Sequence, residues 1–195
     1  HLGHAYSALC AHDMARAAHG GFLLRLDDLD RNRVRAHWAT QIEEDLGWLG
    51  LRWDEPVMRQ SDRLPRYRAA LETLWAQGLL YPCSCRRRDG EAAVSAPQEG
   101  APLHGPDGLV YPGTCRPLHP PEGPMPEDAA LRLDMRRAAQ AIDLTKLPIT
   151  YREEGVAPPP GRLEADHFIE RIGDVALARR GSGASYHLAV VCDDA

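Results

Sequence analysis

The order of the first elements constrains the fold most strongly, because a helix leads directly into a short buried strand. Residues 5–19 are rich in alanine, place Leu9 and Met14 on one side of a helix, and end at Gly20-Gly21. Residues 22–26 form an apolar run that leads into acidic residues. A loop, a helix and a strand in this order are the later part of a βαβ unit, whose first strand would precede His1. The pattern predicts an α/β fold.

Two further helices are indicated by apolar stripes at helical spacing. The first spans 34–50, and its apolar positions are Trp38, Ile42, Leu46 and Leu49. The second begins after Ser61 and ends before Gly78, and its apolar face is formed by Leu64, Tyr67, Leu71, Leu74 and Trp75. A strand over 79–81 follows. Three tryptophans are expected in the core: Trp48, Trp53 and Trp75.

The segment 83–126 differs from the rest in composition. It is rich in Gly and Pro, lacks periodicity and holds three of the five cysteines, which predicts an insertion without its own core. Three segments after it are assigned by local pattern: regular structure at 129–134 and 149–153, and a Pro-rich loop at 157–161. Residues 175–179 and 186–191, joined by Gly181-Ser182-Gly183, predict a β-hairpin.

Composition excludes some classes of protein. The 195 residues are 44% hydrophobic and 26% charged, as in soluble globular proteins, and no apolar run approaches the length of about 18 residues that spans a membrane. The net charge of −5 offers no global basic surface for nucleic acid. Five cysteines without a secretory signal favour a reducing cytosol, with Cys10 and Cys192 as buried apolar side chains. Because the chain opens at His1 without an initiator Met, we expect it to be part of a longer protein.

The motif His1-Leu2-Gly3-His4 is suited to binding a phosphate. The free N–H groups and dipole of the helix that follows favour an anion, and Gly3 lets a nucleotide approach the backbone closely. His1 and His4 lie on one face of the opening turn, where imidazoles can donate to phosphoryl oxygens. The alternative is that they are ordinary histidines at a helix start, or the remnant of a tag.

The thiols of Cys83, Cys85 and Cys115 predict a metal site. Thiolates are good zinc ligands, and structural zinc is tetrahedral with four ligands. On chemistry alone, the fourth ligand is His104 or His119. A structural zinc ion would order an insertion that lacks a core. The alternative is that the thiols are free in an irregular loop.

Several motifs in combination resemble the catalytic domain of class I glutamyl-tRNA synthetases. They are HLGH at 1–4, GFLLRLDDLDR at 21–31, IEEDLGWLGL at 42–51, RQSDR at 59–63, QGLLY at 77–81 and YHLAVVCDD at 186–194. The resemblance implies a Rossmann-like domain with a zinc-binding insertion that condenses glutamate with ATP, in the presence of Mg²⁺, to glutamyl-adenylate. His1, Gly3 and His4 then match the signature motif that binds the ATP phosphates, with the two histidines stabilising the transition state.

The resemblance also implies a glutamate pocket. Asp27 lies where the family usually has a Glu that pairs with the amino group of the substrate, so its shorter side chain is a departure, and Tyr186 matches a tyrosine that lines the pocket. A carboxylate at the carboxyl end of a strand lies where α/β sheets bind ligands and suits an ammonium group. Asp27, Asp28 and Asp30 can instead form a solvated loop or pair with neighbouring arginines, namely Arg25, Arg31 and Arg33.

Two patterns are more similar to the small paralogues within this family, which attach glutamate to queuosine in the anticodon of tRNA(Asp). One is Tyr-His-Leu-Ala at 186–189, and the other is Cys-x-Cys followed by Tyr-x₃-Cys, which implies Tyr111 as the fourth metal ligand. We therefore expect a cytoplasmic, monomeric ligase acting on tRNA(Asp) that carries queuosine. Arg86-Arg87-Arg88 would touch tRNA phosphates or form a solvated surface.

Two other functions stay open: the catalytic fragment of an ordinary glutamyl-tRNA synthetase that charges tRNA(Glu), and a non-catalytic tRNA- or zinc-binding paralogue.

The one lysine, Lys146, does not lie in a sequence like the second, lysine-bearing loop of the family. We therefore expect that loop beyond Ala195, and the net charge of −5 describes this part of the protein only. The implied segments are 1–82 (first part of the nucleotide-binding domain), 83–126 (insertion) and 127–195 (acceptor-side subdomain and return to the catalytic sheet).

Overall fold

The computed structural model describes residues 2–30, 34–85, 104–105, 108–144, 149–150 and 163–195. The chain divides into two compact units, residues 1–64 and 65–195. The predicted segment boundaries at 82 and 126 rest on composition and stay predictions. No helix in the described part of the chain is long and apolar enough to cross a membrane.

The first unit contains a parallel strand pair joined by a helix, as the α/β prediction requires. Helix α1 (Leu2–Ala17) precedes β1 (Arg25–Leu26), and α2 (Ala36–Trp48) connects β1 to β2 (Met58–Arg59). Arg25 pairs with Met58 and Leu26 with Arg59 in parallel register. Such a pair needs a crossover connection, and α2 provides it.

Asp54 joins α1 to the residues that flank β1. Its carboxylate accepts from Arg16 Nη1 at 3.0 Å and from the Phe22 N–H at 2.8 Å, and its own N–H donates to Phe22 O at 3.0 Å. The hydrogen bond from the Arg16 guanidinium, followed by that from Phe22, lowers the pKa of Asp54 below its ordinary value. The predicted strand at 22–26 is thus anchored at Phe22 by Asp54, while only its last two residues belong to β1.

The second unit is built on a three-stranded antiparallel sheet. The central strand β6 (Ala130–Leu133) lies between β3 (Leu80–Cys83) and β7 (Ala176–Ala178), and a short hairpin is formed by β4 (His104–Gly105) and β5 (Gly108–Leu109). Its other elements are α3 (Leu64–Ala76), α4 (Met135–Ala141), a π-helical turn (His167–Ile172) and α5 (Tyr186–Asp194). Its largest buried apolar side chains include Tyr67, Leu71, Leu80, Tyr81, Leu131 and Leu188.

The predicted β-hairpin over 175–191 is wrong in its second half. Residues 176–178 form β7, but 186–194 form helix α5. Ser185 is a buried N-cap whose side chain accepts from the Leu188 N–H at 3.4 Å. Leu188 and Ala189 are both buried, which suits one face of a helix but would place them on opposite faces of a strand. An apolar run this short does not separate the two structures by periodicity.

The burial prediction for the tryptophans is wrong for Trp48, which is 86% exposed at the end of α2. Trp53 and Trp75 are half-buried, and the indole N–H of Trp75 donates to a backbone carbonyl at 2.9 Å. Cys10 and Cys192 are also half-buried rather than fully buried. Helix α2 itself was predicted correctly, but none of its residues is buried, and Trp38 and Ile42 of its predicted apolar stripe are exposed.

Replacing Ser185 by alanine removes the cap at the start of α5. We expect S185A to lower the free energy of unfolding by about 1 kcal/mol, the usual loss for a serine N-cap, measured by urea denaturation. The control S182A removes a contact of the same length, from the hydroxyl to Ala184 O at 3.4 Å, but this contact caps no helix, so S182A should change stability less. An S185A protein as stable as the wild type would contradict the capping role.

Candidate functional site

The three cysteines predicted as metal ligands lie together in the second unit. Strand β3 ends at the buried Cys83, Cys85 follows two residues later, and Cys115 comes from the loop after β5. The three Sγ atoms all lie within 4.8 Å of one another, and those of Cys85 and Cys115 are 3.3 Å apart. A tetrahedron with Zn–S bonds of about 2.3 Å separates its sulfurs by about 3.8 Å. The thiols therefore fit a zinc ion without a large rearrangement.

Tyr111 occupies the fourth position of this cluster. Its hydroxyl lies 3.5 Å from Cys83 Sγ and 3.4 Å from Cys85 Sγ, and it accepts from the Cys115 N–H at 2.9 Å. His104 and His119 are exposed, and within the described part of the chain neither belongs to the cluster. As the fourth ligand, the geometry favours Tyr111 over His104 and His119. We call Cys83, Cys85, Tyr111 and Cys115 the cysteine–tyrosine cluster.

Local contacts shift the titration of this cluster. Burial alone would raise the pKa of the Cys115 thiol, but hydrogen bonds from Tyr111, from the Ser84 backbone and from Cys85 outweigh it and lower the pKa to about 6. Burial, followed by the hydrogen bonds with the thiols, raises the pKa of Tyr111 well above its ordinary value. The cluster thus combines a readily ionised thiol with a protonated phenol.

An arginine lies against the cluster from the central strand. The Arg132 guanidinium carbon is 3.7 Å from the centroid of the Tyr111 ring, and its Nε donates to Cys83 Sγ at 3.3 Å. Its Nη1 donates to the backbone oxygen of Asp174 at 2.8 Å. No local sequence pattern marks Arg132, because each of its partners lies about 20 positions or more away in the chain.

The Asp174 carboxylate connects the cluster to the core. It accepts from Arg116 Nε at 2.7 Å, from the Met135 N–H at 2.9 Å and from the Tyr81 hydroxyl. Arg116 directly follows a cysteine of the cluster, and the salt bridge with Asp174 raises its pKa. Asp174 was also missed, although the sequence Gly173-Asp174 before a strand is the kind of signal that could have identified it.

Gly173 brings the backbone next to Tyr111. The two residues form an isolated parallel bridge, and Gly173 has a φ of 72°, in the left-handed region that favours glycine. A Cβ at this position would lie 2.8 Å from Val110 Cγ1. Only a residue without a side chain allows this approach, so Gly173 helps to hold the loop that carries Tyr111.

In the first unit, Gly3 and His4 lie in the first turn of α1, which begins three residues earlier than predicted. The first N–H groups of a helix lack partners within it, so the position suits an anion. His4 also lines a groove of about 420 Å³ between α1 and α2, together with Trp38, Ile42 and Leu46. Several predicted features lie outside the described residues: His1, Arg31, Arg33, Arg86-Arg87-Arg88, Lys146, the part 151–153 of the segment 149–153, and the loop 157–161.

The acidic residues after β1 have different partners. Asp27 Oδ1 accepts from Arg25 Nε at 2.8 Å, the ion pair that was considered as an alternative to a substrate contact. Asp28 accepts from the N–H and the hydroxyl of Ser61 at 2.8 and 2.7 Å, and so caps the 3₁₀ turn Gln60–Arg63. Tyr186 is the first residue of α5 in the second unit and is 54% exposed.

Comparison with known proteins identifies the family. The family described as tRNA synthetases class I (E and Q), catalytic domain, matches residues 1–195. The chain is 54% identical to a glutamyl-Q tRNA(Asp) synthetase of Rhodobacter capsulatus, and the match covers 100% of this chain and 68% of that relative. Proteins of the same name from Deinococcus radiodurans and Symbiobacterium thermophilum are 42% and 40% identical, and the chain spans 58% of each.

A solved structure has the same fold at low identity. It is a glutamate tRNA ligase from Elizabethkingia meningosepticum in complex with its amino acid, with a TM-score of 0.65 and 19% identity over 100% of this chain and 39% of that one. The expected fold class is thereby confirmed. The chain belongs to the class I tRNA synthetases for glutamate and glutamine, and it matches their catalytic domain.

Proposed function

We propose that the protein activates glutamate with ATP and transfers it to queuosine in the anticodon of tRNA(Asp), in the cytoplasm. The observation that carries this proposal is the identity of 54%, over the whole chain, with a glutamyl-Q tRNA(Asp) synthetase. The cysteine–tyrosine cluster and the Tyr186-His187-Leu188-Ala189 sequence agree with it. The protein would act as a monomer, with Mg²⁺ accompanying ATP.

The reaction has two steps. A carboxylate oxygen of glutamate attacks the α-phosphorus of ATP, the bond to the bridging oxygen breaks, and pyrophosphate leaves. A hydroxyl of the queuosine cyclopentene diol then attacks the mixed anhydride, forming an ester and releasing AMP. The residues of the protein contribute position and charge stabilisation rather than a covalent intermediate.

His1, Gly3 and His4 would bind the ATP phosphates. Gly3 and His4 lie in the first turn of α1, at the end of the helix whose dipole favours a phosphate. The imidazole of His4 would add a donor that gains strength as negative charge develops on the α-phosphate. His1, three positions earlier in the sequence, would act in the same way.

Asp27 and Tyr186 would bind glutamate. A carboxylate accepts hydrogen bonds at both oxygens, so the contact of Asp27 Oδ1 with Arg25 is compatible with an ammonium group at Oδ2. Asp is one methylene shorter than the Glu usual in the family, and the arginine contact fixes its orientation. Tyr186 is exposed at the start of α5, where its ring is accessible to a ligand.

Cys83, Cys85, Tyr111 and Cys115 would hold a structural zinc ion. With four protein ligands, the ion would supply a cross-link and no open coordination position for catalysis. Such a cross-link suits this part of the chain, because Cys85, Tyr111 and Cys115 are only half-buried and lie in loops. Zinc binding would therefore contribute directly to stability.

Replacing Cys83 by serine should release the metal. We expect wild-type protein to contain about one zinc ion per chain, and C83S to contain much less and to melt at a lower temperature. Y111F should also lose zinc, whereas H119A and C192S, at residues outside the cluster, should retain it. Elemental analysis and thermal unfolding measure these effects, and zinc-free wild-type protein would refute the metal proposal.

Replacing His4 by alanine should slow adenylate formation. We expect a loss of about 10²- to 10³-fold in glutamate-dependent ATP–pyrophosphate exchange, the usual effect of removing one transition-state donor. H119A should exchange at the wild-type rate. Exchange should also proceed without tRNA. A normal rate for H4A would remove His4 from the mechanism, and strict dependence on tRNA would favour an ordinary glutamyl-tRNA synthetase.

The substrate is tested by charging with labelled glutamate. We expect esterification of tRNA(Asp) that contains queuosine, and none of tRNA(Glu) or of tRNA(Asp) that lacks queuosine. Charging of tRNA(Glu) would favour the ordinary synthetase. Binding of tRNA without charging of either would favour a non-catalytic paralogue.

A further inference from the structure

Arg132 contacts two members of the cysteine–tyrosine cluster at once. Its guanidinium stacks on the Tyr111 ring at 3.7 Å, and its Nε donates to Cys83 Sγ at 3.3 Å. Both partners belong to the proposed metal site. We propose that Arg132 is a positioning residue that neutralises and orients this metal centre, an inference that rests on the proposed zinc site.

The charge of the site gives Arg132 its role. Three thiolates carry more negative charge than a Zn²⁺ ion can balance, so the loaded cluster keeps a net negative charge. Cys83 is buried, and an uncompensated charge there is costly. A guanidinium is always protonated and donates in a fixed planar geometry. Because Arg132 Nε lies 3.3 Å from Cys83 Sγ, the guanidinium compensates the negative charge of the Cys83 thiolate directly.

Arg132 is itself held rigidly. It lies on the central strand β6, paired with Tyr81 on one side and Ala176 on the other. Its Nη1 donates to the backbone oxygen of the buried Asp174 at 2.8 Å. The guanidinium is therefore in place before a metal binds. Mutation of a residue that contacts a metal ligand in this way typically weakens metal binding about 10- to 100-fold.

A purely structural role is the competing explanation, because the same contacts connect β6 to Cys83 on β3 and to Asp174 in the segment before β7. That role predicts lower stability with and without metal, but unchanged zinc affinity. A role at the metal centre predicts weaker zinc binding by folded protein. It also predicts a change in the thiolate-to-metal absorption of the Co²⁺-substituted protein, because the charge around Cys83 changes.

The test compares R132M, R132K and the control R136M in the full-length protein. Arg136 is exposed on α4, outside the cluster. Zinc affinity is measured by competition with a chromophoric chelator, and folding by circular dichroism. We expect about 10- to 100-fold weaker binding in R132M, an intermediate loss in R132K, which keeps the charge but not the planar geometry, and no change in R136M.

The outcomes separate the two proposals. If wild-type protein binds no zinc, the metal site itself fails, and the role of Arg132 fails with it. If wild-type protein binds zinc and folded R132M or R132K binds it equally well, only the role of Arg132 is overturned. If R132M does not fold, R132K decides: weaker binding with an altered Co²⁺ spectrum supports the inference, and wild-type values for both overturn it.

Discussion

The buried carboxylate of Asp174 is the interaction on which the organisation of the second unit depends. It is 2% exposed, and an ion so placed is tolerated only when charges and hydrogen bonds replace water. Arg116 supplies the charge, and the Tyr81 hydroxyl and the Met135 N–H supply further donors. Strand β3, the loop after Cys115 and the start of α4 therefore meet at one group. None of these segments is close to another in sequence.

The cysteine–tyrosine cluster takes its geometry from this arrangement. The residues next to two of its members are tied to the core, since Arg116 follows Cys115 and pairs with Asp174, while Gly173 bridges to Tyr111. Arg132 extends from the central strand to the cluster and bonds the backbone of Asp174. A loop region with little apolar packing is thus positioned by buried polar contacts, and a metal would add a cross-link to a site already assembled.

Local patterns predicted much of the fold and of the cluster. The apolar spacing in α2 and α3 identified both helices, and the thiol spacing of Cys83 and Cys85 indicated a metal site, because these signals lie within one or a few turns of chain. Other features depend on tertiary contacts. The helix after Ser185 was predicted as a strand, and Arg132 and Asp174 act on residues far away in sequence, so no window of sequence contains their partners.

X-ray absorption at the zinc edge of the purified protein tests the central claim most directly, because it counts the atoms bound to the metal. A site formed by Cys83, Cys85, Tyr111 and Cys115 predicts three sulfurs at about 2.3 Å and one oxygen at about 2.0 Å. Four sulfurs, or a site of nitrogen and oxygen alone, would contradict the assignment of this cluster as the metal centre.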